Sequence, residues 1–150
     1  MALNTFRFDD NKGIVVTPKN TRDCKAAEAL TAGDIVKIKN VAGSKITVVE
    51  KVTADTDVPF GVVAYDSARK VSYSSGEIVN IAYDYSIVKM EASAAINAGA
   101  EVMAVVSGMK VATATSGKVA FGQACIPAAA AGDLIPVMLF KPATVATAST

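Results

Sequence analysis

Residues 128–140 read AAAAGDLIPVMLF: small residues, then a glycine and an acid, then an apolar stretch that is typical of a β-strand. A similar sequence pattern begins at Gly33, Gly76 and Gly99. Glycine closes a turn because it reaches positive φ without steric cost, and a neighbouring acid can accept hydrogen bonds from backbone N–H groups. The four motifs therefore predict strand starts rather than catalytic carboxylates. Two apolar residues of each strand are predicted to share a face: Val36 with Ile38, Val79 with Ile81, Met103 with Val105, and Ile135 with Val137.

Two segments, residues 30–83 and residues 96–140, contain these elements in the same order. Each has an Ala-Gly turn followed by a strand, then a Phe-Gly pair, then a second glycine-led strand. Two interpretations stay open: the body consists of two similar β units, or turns of this kind are simply common in β proteins.

Between residues 29 and 140 the sequence reads as almost entirely β. Short alternating or apolar runs are separated by Gly, Asn, Asp, Ser and Pro, which favours an all-β fold, a compact small barrel or sandwich. Helix signals at residues 24–30 and 91–98 are weak. The predicted strands cover residues 34–39, 45–52, 60–65, 77–83, 85–90, 101–106, 110–113, 119–126 and 134–140.

The two ends of the chain differ from this body. Residues 1–28 are predicted to form an extended N-terminal arm, because their apolar patches are too short to bury themselves. We expect these patches, Phe6 with Phe8 and Ile14-Val15-Val16, to dock on another protein. Residues 141–150, KPATVATAST, are predicted to be a short C-terminal tail.

The composition excludes several classes of function. The chain has 150 residues, 51% of them hydrophobic, and a formal net charge of +1, so it carries no electrostatic footprint for nucleic acid or an anionic membrane. It has no histidine and two cysteines, so it lacks the commonest general base and cannot build a four-cysteine zinc site. We expect neither metal nor cofactor.

Residues 84–150 contain only four basic and four acidic residues, which favours dense packing or burial against another chain.

No motif in the chain predicts an enzyme. TSGKV at residues 115–119 has Val119 where a phosphate loop needs Ser or Thr, and Asp55 and Asp57 lack the Gly and Glu of a calcium loop. Asp66-Ser67 has no histidine to activate the serine.

The segment MALNTFRFDD has no apolar core of a signal peptide, and no uncharged apolar run reaches transmembrane length. These features predict a soluble protein made in the cytoplasm.

The cysteines Cys24 and Cys125 leave three alternatives open: two free thiols, a bridge within the chain, or a bridge between subunits. Cys24 stands among charged residues of the predicted arm, so we expect it to be accessible. Cys125 is flanked by apolar residues, so we expect it to be buried or at an interface.

The last predicted strand is apolar on both faces. Leu134, Met138 and Phe140 face opposite to the Ile135 side of the strand, whereas a solvent-facing strand would alternate with polar residues. Proline at position 136 argues against a fully bonded central strand. We therefore expect an edge strand whose second face is covered by another subunit.

Together the Ala-Gly-Asp strand openings, the FGVVAYDSA strand, the SSGEIVNI hairpin and the closing AAAAGDLIPVML resemble the head decoration (cement) proteins of tailed bacteriophages. The resemblance covers residues 29–140. It implies a β-barrel or β-tulip body, usually a homotrimer, that clamps neighbouring major capsid proteins on the outer surface of an expanded head, without a catalytic residue. The long charged arm and the two cysteines depart from that pattern.

Two other classes of protein remain as alternatives. One is a different β-rich virion component, such as a tail-tube or fibre-base subunit, which predicts ring or filament assembly. The other is a small β enzyme or carbohydrate-binding module, which predicts a deep pocket with convergent polar groups.

Overall fold

The computed structural model describes residues 12–65 and 71–146, and these residues form thirteen β-strands and no helix. The all-β prediction is confirmed. Phe6 and Phe8 lie outside the described residues. The strands are β1 Val15–Thr17, β2 Asn20–Ala26, β3 Leu30–Thr31, β4 Ile35–Lys39, β5 Val48–Lys51, β6 Gly61–Val63, β7 Ser72–Tyr73, β8 Ile78–Tyr83, β9 Ile87–Glu91, β10 Glu101–Val105, β11 Lys110–Thr113, β12 Val119–Ala124 and β13 Leu134–Thr144.

All nine sequence-predicted strands are present, and four further strands, β1, β2, β3 and β7, were not predicted. These four strands are short or rich in charged and polar residues, so their sequences show no clear alternation. The two weak helix signals are wrong. Residues 24–26 belong to β2, and the 91–98 segment makes turns and an isolated bridge from Ile96 to Ala128.

The first unit, residues 20–83, is a closed five-stranded barrel in the order β2-β5-β4-β6-β8. It closes where β2 and β5 pair in parallel, with Ala26 opposite Val49. The two-stranded pair β3–β7 contributes Leu30 and Tyr73 to the barrel's core. The interior is filled by Cys24, Ala26, Leu30, Val36, Val49, Val63, Tyr73, Val79 and Ile81.

The second unit, residues 87–144, belongs to a six-stranded sheet in the order β1-β9-β13-β12-β10-β11. This sheet curls until its strands β9 and β11 meet at a parallel bridge between Ala92 and Val111. The N–H of Ser93 donates to the Val111 carbonyl, with an N to O distance of 2.9 Å. The second unit is therefore a barrel that is joined along only part of its seam.

The two units share one strand order and one register. The order β2-β8-β6-β4-β5 in the first corresponds to β9-β13-β12-β10-β11 in the second. This agreement supports the interpretation of two similar β units, because common turns alone would not reproduce the pairing of every strand. Each strand pair of the first unit has an equivalent pair in the second. Cys24–Val79 corresponds to Met90–Ile135, and Val62–Ala82 corresponds to Gln123–Met138. Ile35–Val62 corresponds to Glu101–Gln123, and Ala26–Val49 corresponds to Ala92–Val111.

The four glycine-led motifs all form the same turn. Gly33, Gly76, Gly99 and Gly132 have φ of 91°, 91°, 84° and 95°, and the N–H of the next residue donates to the carbonyl three positions earlier. The side chain of Asp34 accepts the N–H of Thr31 at 2.8 Å, and that of Asp133 makes the equivalent contacts with residues 129 and 130. The acids at these two turns therefore serve the backbone, as predicted.

A single apolar cluster joins the two units. The first unit contributes the side chains of Ile35, Val62 and Ala82, which point out of its barrel, and the second unit contributes its own interior and one end of its barrel. Burying an aliphatic side chain of this size stabilises a fold by roughly 1.5–3 kcal/mol. The two units therefore form one body.

Three predictions about the ends of the body are wrong. The predicted arm of residues 1–28 contains β2, which pairs with β8 over six residues and completes the barrel. The predicted tail begins inside β13, which continues to Thr144 and pairs with β12 there. β13 is a central strand between β9 and β12, not an edge strand. Pro136 is tolerated because its neighbour on the β12 side is Cys125, just beyond the end of β12, whose N–H donates to the Pro136 carbonyl at 2.9 Å.

Candidate interaction surface

Most of the described carboxylates are engaged in local structure. Asp57 accepts the N–H of Thr53 at 2.7 Å and forms an ion pair with Lys37 at 2.9 Å. The Thr53 hydrogen bond, followed by that from Lys37, lowers the pKa of Asp57 from 3.8 to about 2. Asp55 pairs with Lys118 of the second unit at 3.1 Å. The ADTD segment is therefore a structural loop, and within residues 12–65 and 71–146 no three His, Cys, Asp or Glu side chains converge as metal ligands would.

An apolar groove of about 540 Å³ opens at one end of the first barrel. Its most exposed side chains are Ile38, with 56% of its surface accessible, and Val58, with 64%. The rings of Phe60 and Tyr83 stack in the groove with their centroids 4.9 Å apart. The lining residues are Ile38, Val58, Pro59, Phe60, Tyr83, Asp84, Lys141 and Pro142.

Strand periodicity explains why apolar side chains are exposed at this end. Ile38 lies two residues after the buried Val36, and Tyr83 lies two residues after the buried Ile81. Side chains two apart on a strand point to the same face. Ile38 and Tyr83 therefore lie on the interior face of the barrel, beyond the buried residues Val36 and Ile81. No part of the described chain covers these two side chains fully.

The sequence-predicted contact residues of β13 lie on the outer face of the second unit. Leu134, Met138 and Phe140 are half-buried, whereas Ile135 and its neighbours of the same face are buried in the core. Met138 stands opposite Gln123 on β12. The predicted apolar second face is therefore present, on a central strand.

The other predicted contact residues that the structure describes, Ile14, Val15 and Val16, lie in an N-terminal clasp, residues 12–17, that holds the two units together. The N–H of Tyr65 donates to the Gly13 carbonyl at 2.8 Å, the N–H of Lys89 donates to the Ile14 carbonyl at 2.9 Å, and Lys12 Nζ donates to the Gly108 carbonyl at 3.0 Å. Val15 packs against the shared core, while Val16 is 50% exposed. Ile14 and Val15 are thus engaged by their own chain, and the clasp is not brought together with the Met138 face.

The prediction that Cys24 is accessible is wrong, and Cys125 is not buried within the single chain, so its place at an interface stays a prediction. Cys24 is fully buried inside the first barrel, and burial raises its pKa from 9.0 to about 11. Cys125 is exposed after the end of β12. Strand periodicity places Cys24 inside because β2 is a barrel strand, which the charged residues around it concealed. The two thiols are free and belong to different units.

No helix in the described residues is long and apolar enough to cross a membrane. No protein-family model matches the chain, and no curated protein matches it. Among solved structures, the chain is similar to the head fiber gp8.5 N base in bacteriophage phi29, with a TM-score of 0.58 and 14% sequence identity. The match covers 85% of this chain and 98% of that one. At this identity the likeness shows that the two proteins share a fold.

Proposed function

We propose that this chain is a structural protein of a phage virion that binds the outer surface of the assembled head. The observation that carries the proposal is the shared fold, which spans nearly the whole of a head-fibre base. The sequence resemblance to head decoration proteins points to the same part of the virion. Asp34 and Asp133 serve turns, and Asp55 and Asp57 form ion pairs, which suits a role without catalysis.

The mechanism is bridging. A protein that binds a site formed only between assembled capsid subunits favours the assembled, expanded shell by mass action. Several copies that associate with one another, as a homotrimer, gain further affinity because each contact raises the effective concentration of the next. The partners in this proposal are the major capsid protein and other copies of the chain, with no nucleic acid and no membrane. The protein is made in the host cytoplasm and acts on the virion.

A second candidate function is the base of a head fibre, and the description of the similar solved structure favours it. The two functions differ in where the protein sits. A decoration protein occupies repeated positions over the whole shell, whereas a fibre base carries a projection at each of its sites. Cryo-electron microscopy of heads incubated with the purified protein distinguishes the two patterns.

The proposal is tested by co-sedimentation of the purified protein with expanded heads and with unexpanded heads. We expect binding to expanded heads only. The N-terminal contact is tested with a chain that lacks residues 2–11 and with the double variant Phe6→Ser and Phe8→Ser. Both should fold and lose capsid binding, because the two aromatic side chains supply the apolar anchors of that segment. Failure of the unaltered protein to bind either form of head would rule out the proposed function.

A further inference from the structure

The two units pack against each other through different surfaces. The first unit presents the outside of its barrel, here called the side wall: Ile35, Val62 and Ala82, which lie in one row across β4, β6 and β8. All three are completely buried and join the core of the second unit. Val88, Ala104, Phe121 and Leu139, at one end of the second unit's barrel, here called the open end, belong to the same buried cluster as this wall.

Because the two units share one register, each of these surfaces has a counterpart in the other unit. The side wall of the second unit is the row Glu101, Gln123 and Met138, which occupies the positions of Ile35, Val62 and Ala82. The open end of the first unit holds Arg22, Ile38, Phe60 and Tyr83 at the positions of Val88, Ala104, Phe121 and Leu139.

Both counterparts are uncovered in a single chain. Three residues of the first unit's open end, Ile38, Phe60 and Tyr83, line the apolar groove, in which the rings of Phe60 and Tyr83 stack, whereas Arg22 lies outside it. In the side wall of the second unit, Glu101 is exposed, and Gln123 and Met138 are half-exposed. Within one chain, the side wall of the first unit is covered by the second unit. The side wall of the second unit and the open end of the first unit have no such partner within the described residues.

We propose that a second copy of this chain completes that contact. The side wall of the second unit of one copy, centred on Met138, covers the open end of the first unit of the next copy. The internal contact between the two units is the template for the contact between copies, with Met138 in the place of Ala82. The contact is head-to-tail, since different surfaces of the two copies meet.

The side chains on the two surfaces fit each other chemically. The first unit's open end has two aromatic rings, Phe60 and Tyr83, where the second unit's has one, Phe121. Methionine is flexible and makes favourable contacts with aromatic rings, and Met138 is longer than Ala82, whose place it takes. The groove is lined by one basic residue, Lys141, and one acidic residue, Asp84, so the contact places the acidic Glu101 toward Lys141.

This contact locates the self-association that the proposed function includes, but it does not require a capsid. Its test therefore uses the purified full-length chain alone, so that failure to associate and failure to bind heads are observed separately.

The decisive experiment is cross-linking between two single-site variants in a Cys125→Ser background. Val58→Cys places a thiol at the groove, and Glu101→Cys places one on the wall, while Cys24 stays buried in both. With a short bismaleimide, the mixture of the two variants should give a cross-linked dimer, and neither variant alone should do so. Efficient cross-linking of either variant with itself indicates a symmetric contact and overturns the proposal, as does the absence of any cross-link in the mixture.

A second measurement uses charge to weaken the contact. Met138→Asp and Ile38→Asp each introduce a carboxylate into one of its two halves, and we expect at least a tenfold weaker association by light scattering. Ile126→Asp is the matched control, because Ile126 is 46% exposed and lies outside both surfaces. Thermal unfolding of each variant checks that the body still folds. Unchanged association of both Met138→Asp and Ile38→Asp would contradict the proposal.

Discussion

Gly61 and Gly122 occupy the same position in the two units, and each lies close against the neighbouring strand. Gly61 is opposite Val36, and Gly122 is opposite Val102, the equivalent residue of β10. A Cβ atom at Gly61 would overlap the carbonyl oxygen of Ala82. A Cβ atom at Gly122 would meet the Val137 Cγ1 at 2.7 Å and the Met138 carbonyl oxygen at 3.0 Å. The repeated Phe-Gly pair of the sequence therefore marks a close approach between strands in both units.

The two glycines are expected to differ in their tolerance of alanine. Gly61→Ala forces a methyl group against a backbone oxygen that cannot move without breaking the β6–β8 pairing, and overpacking of this kind costs roughly 1–3 kcal/mol. At Gly122 the nearest atom is a methyl group of the buried Val137, and the nearest backbone oxygen, that of Met138, lies at 3.0 Å, so a smaller shift of the backbone relieves the contact. Urea denaturation should show a larger loss of unfolding free energy for Gly61→Ala than for Gly122→Ala. The reverse order would contradict this account of the two close approaches.

Asp57 is expected to make stability depend on pH below about 4. Its pKa is lowered from 3.8 to about 2 in the folded protein, so its contribution is fully present above the unfolded value and is lost as pH falls through the folded value. Asp57→Ala should reduce the unfolding free energy by about 1 kcal/mol at pH 6, as expected for lost hydrogen bonds. The difference from the unaltered protein should shrink between pH 4 and pH 2. A difference that stays constant over this range would show that the charge of Asp57 does not stabilise the loop.

The two thiols are expected to react at very different rates. Cys125 is exposed, whereas Cys24 is buried and its pKa is raised to about 11, so little thiolate forms at neutral pH. A thiol reagent at pH 7.5 should label one site per native chain rapidly and a second only in denaturant. Cys125→Ser should remove the rapid phase. Rapid labelling of that variant would mean that the first barrel opens readily.

Truncations of the N-terminus are expected to separate capsid binding from stability. Removing residues 2–11 leaves the clasp intact, so thermal unfolding should not change. Removing residues 2–17 deletes the clasp with its hydrogen bonds to Tyr65 and Lys89, and we expect a loss of about 3 kcal/mol at roughly 1 kcal/mol for each of about three bonds. Equal stability of the two truncated chains would show that the clasp does not hold the units together.

Local chemistry explains which features could be predicted from the sequence alone. A glycine-led turn involves four consecutive residues, so the turns at Gly33 and Gly132 can be predicted from the local sequence alone. The alternation of apolar residues that follows is equally local, which is why the strands β10 to β12 and the start of β13 were predicted with nearly correct bounds. The order of these elements also indicated two similar units.

The tertiary structure decided everything that depends on pairing between distant residues. Whether β13 is central or at an edge depends on β9 and β12, whereas the sequence of residues 134–140 shows only that both faces of the strand are apolar. The charged residues of β2 concealed a barrel strand, because its partners β5 and β8 lie more than twenty residues away, and so Cys24 was placed at the surface rather than in the core. The uncovered groove at Ile38 and Phe60 is likewise a property of the fold. It exists because one barrel end is capped by the other unit and the equivalent end is not, and no stretch of sequence contains that difference.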